Sequence, residues 1–274
     1  MLPRRTRSEI SIDCPIVIEL QIRNIISNLY MANLKRQAKA SKPAAFRRVR
    51  KRAGTYPAHR ERQRRRILDA ASELFDERGI DGVTMAEITS ASGVQPSTMY
   101  QYFSSKDDIV WAILGELMQE RSGIATEAMK DAPNALARIT ALLEMMADDL
   151  SQNPEKVRFM AQFDAIYARD WPVERLLSLE AQIHPEPFRF FSELIRNGIA
   201  DGSLRPDLDP DLTMHAVMNA VIGAQRRLAS LGSKVETEYG KPIDQLLRES
   251  IRVLLLGLRG PGVPRNGTTR KRSL

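Results

Sequence analysis

Thr84-Met85-Ala86-Glu87-Ile88-Thr89-Ser90-Ala91-Ser92-Gly93-Val94-Gln95-Pro96-Ser97-Thr98-Met99-Tyr100-Gln101-Tyr102-Phe103 decides the fold, because two helix starts and a helix stop fall within it. Thr84 and Glu87 have the spacing of a capping box. The threonine hydroxyl accepts from the third helical N–H, and the glutamate reaches back to the cap. Ile88 and Ala91 are expected to face inward, and Gly93 to end that helix. Pro96 suits the first turn of a new helix, since it has no N–H to leave unpaired there. That helix is expected to run about two turns, from Pro96 to Phe103. Ser105-Lys106-Asp107-Asp108 then starts another, with Asp108 at a capping-box position and two acids near the positive end of the dipole.

Upstream, Ile67, Ala70, Ala71, Leu74 and Phe75 recur at three- and four-residue spacing, one apolar stripe on a longer helix that Gly79 stops. One longer helix followed by two short ones around a Gly-containing turn is a helix-turn-helix. The second short helix must project from its own core for its first turn to enter a major groove. Val94, Met99 and Phe103 can anchor it inward. Gln95, Ser97, Thr98 and Tyr102 are then left to face outward, with hydrogen-bonding groups suited to base edges and phosphate oxygens. Lys106 is expected to reach a phosphate, and the Arg60–Arg66 run to cover neighbouring backbone or minor groove.

These residues resemble the signature of the TetR/AcrR family of regulators: Thr84–Ile88, Ala91–Val94, Ser97–Phe103 and Ser105–Asp107, within about 50 consecutive residues. The resemblance implies a DNA-reading set of Thr84, Gln95, Pro96, Ser97, Thr98, Tyr100, Tyr102 and Lys106. In it Thr84 caps its helix and touches phosphate, Tyr100 binds phosphate, Tyr102 contacts bases or sugar-phosphate, and Lys106 clamps the backbone. Gln95 departs from the family, which often has Ser or Thr there. Glutamine is a poorer cap, at a cost of about 1 kcal/mol, and leaves a longer arm for base reading.

Charge points the same way. The chain has 274 residues and a net charge of +7. Residues 1–66 carry a net +14 and the remainder a net −7, a basic front on an acidic body, as expected where one end meets a polyanion. The single cysteine, Cys14, excludes an intramolecular disulfide and any Cys-based zinc site, and fits a reducing cytoplasm. No apolar run is long enough for a membrane span. Ile10–Leu20 follows three arginines, but Asp13 and Glu19 interrupt it and no small-residue cleavage site stands out, which argues against a signal peptide. Residues 1–57 are read as a basic extension, disordered or forming one isolated helix. Met31 opens its more basic part and is an alternative start, which N-terminal sequencing would decide.

Beyond residue 110 the periodicity is helical throughout, so the fold class is all-α: a helix-turn-helix domain over 58–110, a helical effector-binding and dimerisation domain over 111–258, and a basic, disordered tail over 259–274. The helices are expected near Ser105–Lys130, Leu136–Leu150, Phe159–Tyr167, Phe188–Ala200, Leu212–Leu231 and Ile243–Leu258. Glu193–Asp207 is similar to a stretch that often precedes the family's dimerisation helices. That likeness implies a homodimer through 212–231 and 243–258, where Ala216, Ala220, Gly223 and Ala224 let helix axes approach. It also implies a pocket for a small apolar effector, with Met146, Phe159, Phe163, Tyr167, Trp171, Phe188 and Met218 as contacts and Met145, Met160 and Met214 as further candidates.

His184 and His215 are isolated, and neither a metal nor a cofactor is expected. No phosphate-cradling loop, metal-ligand spacing or nucleophile with an ordered base argues for an enzyme. The sequence therefore predicts a repressor that binds a palindromic duplex operator as a dimer and responds to a ligand. The alternative is a DNA-binding protein of the same fold that is constitutive or switched by a protein partner.

Overall fold

The computed structural model describes residues 56–183 and 187–261, the side chains of 56, 57, 187 and 188 excepted. His184, Phe188's side chain, residues 1–55 and residues 262–274 lie outside the described part, so expectations that fall on them stop there. The described residues form one compact unit of eleven helices. These are α1 (Tyr56–Arg78), α2 (Met85–Ser92), α3 (Pro96–Tyr102), α4 (Lys106–Met129), α5 (Ala135–Gln152) and α6 (Pro154–Tyr167), followed by α7 (Val173–Ile183), α8 (Pro187–Ala200), α9 (Thr213–Leu231), α10 (Ser233–Tyr239) and α11 (Ile243–Leu258).

The punctuation works as the side chains dictate. Gly79 (φ 77°) and Gly93 (φ 65°) take the left-handed conformation that ends α1 and α2, where a Cβ would strain the backbone. Glu87 N–H donates to Thr84 Oγ1 at 3.3 Å, and Thr84 N–H donates to Glu87 Oε2 at 2.8 Å, so the box is closed. Ser105 accepts from Asp108 N–H at 3.1 Å, but the Asp108 carboxylate reaches back one residue further, to Ser104 N–H at 3.1 Å and to its hydroxyl. Gln95 makes no side-chain cap, so Pro96 opens α3 unaided. One inward expectation is corrected. Ala91 is exposed, and its neighbour Ser92 is buried instead, its hydroxyl donating to Thr89 O at 3.1 Å. The small hydroxyl can turn inward because the helix's own carbonyl satisfies it.

Two apolar clusters hold the unit together. The head cluster joins Ile67, Leu68, Ala71 and Phe75 of α1 to Ile88, Val94, Met99 and Phe103, and runs on through Ile109–Leu117 of α4. It also takes in Phe159 and Phe163 from α6, so the head's core crosses residue 110 without a break. The body cluster is built from α5, α8, α9 and α11, with Ile139, Leu143, Ile195, Met214, Leu247 and Ile251 all buried.

α6 is shared. Its Val157 belongs to the body cluster while Phe159 and Phe163 belong to the head. On that head face Arg158 forms a two-pronged pair with Asp76 of α1 at 2.8 and 3.0 Å, and Gln162 Oε1 accepts Ile80 N–H at 3.0 Å. A separate strap joins Arg64 and Arg65 of α1 to Glu116 of α4 at 2.6 and 3.1 Å.

After α11 the chain is pinned back on the α8–α9 turn. Arg205 N–H donates to Leu258 O at 3.0 Å and Gly260 N–H to Ser203 O at 2.9 Å. Gly260 is thus held beside Ser203, and the rest of the expected tail, 262–274, lies outside the described residues.

Candidate nucleic-acid interface

α3 is the shortest helix that carries a strongly one-sided pattern. Met99 is fully buried, flanked by Val94 and Phe103 at 8% and 6% exposure. That anchor leaves Gln95, Pro96, Ser97, Tyr100 and Gln101 exposed, with Thr98 and Tyr102 half-buried. Tyr100 is 61% exposed, an amphipathic ring that the described residues leave largely uncovered. Tyr102 does not project freely, as had been expected. Its ring packs against the head cluster, and the Arg60 guanidinium lies 5.7 Å from its centroid. Arg60, Glu61, Arg64, Gln101 and Tyr102 together line a surface recess of about 320 Å³ between α1 and α3.

The residues on either side of α3 are committed to fixing it. Thr84 is exposed at the start of α2 with its hydroxyl engaged in the capping box. Arg78, at the end of α1, donates to Glu87 at 2.8 Å. That hydrogen bond, with those from Thr84, holds the Glu87 carboxyl down at about 2. Lys106, expected to reach a phosphate, is half-buried and donates to two backbone carbonyls of the α1–α2 turn, Ile80 O at 2.7 Å and Val83 O at 2.8 Å. Its ammonium thus locks the turn that sets α2 against α4, and one of its three N–H groups remains for another acceptor. In the Arg60–Arg66 run, Arg64 and Arg65 are held by Glu116, whereas Arg62 and Arg66 are exposed on α1.

The structure does not gather the expected effector contacts at one place. Met146 is buried in the body cluster with Met218 packed against it. Phe159 and Phe163 are buried in the head cluster with Tyr167 against it, and Trp171 is 47% exposed. The aromatic members form an edge-on stack instead. The rings of Trp111 and Phe163 lie 5.2 Å apart, and those of Phe163 and Trp171 6.2 Å apart. Tyr167 hydroxyl and Arg175 both donate to Asp107 at the start of α4, the arginine at 2.7 Å, and Arg175 also stacks over Trp111 at 4.1 Å. Burial, and then the Asp107 carboxylate, pushes the Tyr167 phenol up to about 12, so it stays a donor.

A second recess, of about 210 Å³, is lined by Ala224, Arg227, Leu228, Tyr239, Leu246 and Ser250. Four charged residues that sequence reasoning missed stand in the body: Arg121 and Asp149 at 3.0 Å, and Arg226 paired with Asp164. Each has other charges on its own helix, so nothing local marks it out, and only the fold pairs them across helices. Among the described residues no helix is long and apolar enough to cross a membrane.

Residues 67–113, which run from the middle of α1 through α2 and α3 into α4, match the model of the bacterial regulatory proteins, tetR family. The chain is 27% identical over 165 residues to the HTH-type transcriptional repressor KstR2 of Mycolicibacterium smegmatis, covering 56% of this chain and 73% of that protein. It is 24% identical over 204 residues to KstR2 of Rhodococcus jostii, covering 73% and 92%. In fold it is similar to the transcriptional regulator FadR of Bacillus subtilis, solved in complex with stearoyl-CoA, with a TM-score of 0.55 at 19% identity over 70% of this chain and 98% of that one. The matched segment coincides with the helices that present Tyr100 and bury Met99, so these helices form the DNA-binding head of the bacterial tetR family of regulatory proteins.

Proposed function

We propose that the protein is a repressor that grips a palindromic operator as a homodimer and releases it when a small molecule enters the body. The observation that carries the reading is α3, which buries Met99 and turns Gln95, Ser97, Tyr100 and Gln101 to solvent. Such a helix offers base-reading and phosphate-binding groups on one face, held rigid by the other. Thr84, Pro96, Thr98, Tyr102 and Lys106 complete the interface, Thr84 and Lys106 chiefly by fixing the helices that carry the readers.

Dimerisation is supported by what α9 and α11 leave uncovered. Leu212, Val253 and Leu256 are 53%, 56% and 46% exposed. Ala216, Ala220 and Gly223 are exposed along α9, which Leu212 precedes, and a Cβ at Gly223 or Gly257 would meet open space. Small residues beside apolar ones suit close approach of a second pair of helices. Operator affinity then depends on the distance between the two heads matching one turn of duplex, about 34–36 Å, or a multiple of it.

α6 is the natural route from body to head, since it contributes to both clusters. A ligand that prefers the wrong head spacing by a few kcal/mol would release DNA. The relatives' names support repression, and FadR's bound stearoyl-CoA supports a ligand in this fold. A second reading, a regulator without small-molecule input, is favoured by the separation of Met146 and Met218 from Phe159, Phe163 and Tyr167.

The test is capture of sheared genomic DNA by the purified protein, followed by footprinting of the enriched fragments. Protection of an inverted repeat is expected. Uniform recovery of all fragments would reject the reading.

A further inference from the structure

Arg121 of α4, Asp149 of α5, Asp164 of α6 and Arg226 of α9 bring two positive and two negative charges into the middle of the body. All four are mostly buried, with side-chain exposures of 17%, 11%, 31% and 23%. Charges are not left there without partners, and these are paired across helices. The arginines are nonetheless poorly satisfied. A guanidinium has more donors than one carboxylate can accept. Arg121 directs Nη1 at the thioether of Met160, 3.2 Å away, a weak acceptor in a place where an oxygen would serve far better. Arg226 lies within the field of Arg121. Burial first, and that like charge second, pulls its guanidinium down to about 10.

The surroundings are apolar and adaptable. Met145 and Met146 sit one turn before Asp149, Met118 one turn before Arg121, and Ile222 and Met218 one and two turns before Arg226 on the same face of α9. Thioether side chains rearrange readily around a guest.

We propose that the interior between α4, α5, α6 and α9 binds an amphipathic molecule with an oxyanion head, the head bridging Arg121 and Arg226 where the Met160 sulfur now faces Arg121. This rests on the ligand-responsive reading above and names the class of ligand. The apolar tail lies among Met145, Met146, Met218 and Ile222. The head site is wired to the DNA-binding end through one helix. Met160 and Asp164 are on the α6 face turned to the arginines, while Arg158, Phe159, Gln162 and Phe163 of the same helix hold α1 and its turn. An anion that displaces Met160 therefore acts on the helix that positions the head.

Calorimetric titration of the full chain with decanoate, decyl phosphate, decanol and decyltrimethylammonium tests this. One or both oxyanions should bind about tenfold or more tightly than decanol, as expected for hydrogen bonds to charged groups, and the stronger of the two identifies the head. Arg226→Gln should abolish that preference. Met160→Leu conserves volume and fold but removes the competing sulfur, so it should tighten oxyanion binding severalfold. It decides the matter if the arginine variant does not fold. Equal affinity for decanol, preference for the ammonium compound, no binding of any of the four, or unchanged oxyanion affinity in Met160→Leu would overturn the proposal. Operator binding by the same sample without ligand reports separately on the proposed function.

Discussion

Lys106 shows how one side chain's role depends on what the fold places in front of it. By sequence it is a surface cation at the start of a helix, and the family likeness assigns it to phosphate. In the folded chain its ammonium spans the carbonyls of Ile80 and Val83. Lys106→Met should therefore lower unfolding free energy by about 1–3 kcal/mol in a denaturant titration, since two charge-assisted hydrogen bonds are lost. Unchanged stability would mean that the lysine serves phosphate alone. Tyr100 is the opposite case, a large ring 61% exposed with no structural task visible in its surroundings. Tyr100→Ala should weaken operator binding about tenfold in a gel shift while the melting temperature stays unchanged. Met99 and Gly93 were legible in sequence because local spacing fixes which way they face, whereas Tyr100 entered only through the family resemblance and spacing had turned Tyr102 outward in its place. The partners of Lys106, and the pairing of Arg121 with Asp149, join residues 23 to 28 positions apart and leave no local pattern.

At the scale of elements, caps and stops were readable because each is a short-range contract between a side chain and nearby backbone. The α2 capping box is the clearest. Thr84→Ala should cost about 1 kcal/mol, measured by thermal or chemical denaturation. The Glu87 carboxyl, held at about 2 in the folded state against an ordinary 4.5, ties that box to pH. A depressed carboxylate stabilises fully above its unfolded value, and the stabilisation fades as pH falls from 4.5 toward 2. Glu87→Gln should flatten stability over that window relative to wild type, and an identical acid limb would contradict the assignment.

Two helices escaped the sequence. α10 buries only Val235 and presents no apolar stripe. α7 fully buries none of its residues, yet Leu176 and Leu179 pack against the head cluster, and their three-residue spacing is a signal that could have found it. The aromatic residues of α6 were legible as helical but not as to destination. Period alone says which residues share a face, not which neighbour that face meets, and here it meets the head.

For the whole molecule, the account requires two heads at a fixed separation. On the proposed reading, the contact between copies would use the exposed Leu212, at the start of α9, with Val253 and Leu256 of α11. Leu256→Arg should shift sedimentation toward the monomer and lower operator affinity far more than it lowers stability, because a single head binds only one half-site. Retained dimers would place the contact elsewhere. The central claim, that α3 enters the major groove, has a direct measurement. Thymines of a selected operator are replaced by 5-iododeoxyuridine, whose iodine occupies the groove position of the methyl group. The complex is irradiated, and the crosslinked peptide is mapped by mass spectrometry. The account predicts crosslinks within Gln95–Tyr102, on the face that carries Ser97 and Tyr100. Crosslinks confined to other segments, with that peptide untouched, would contradict it.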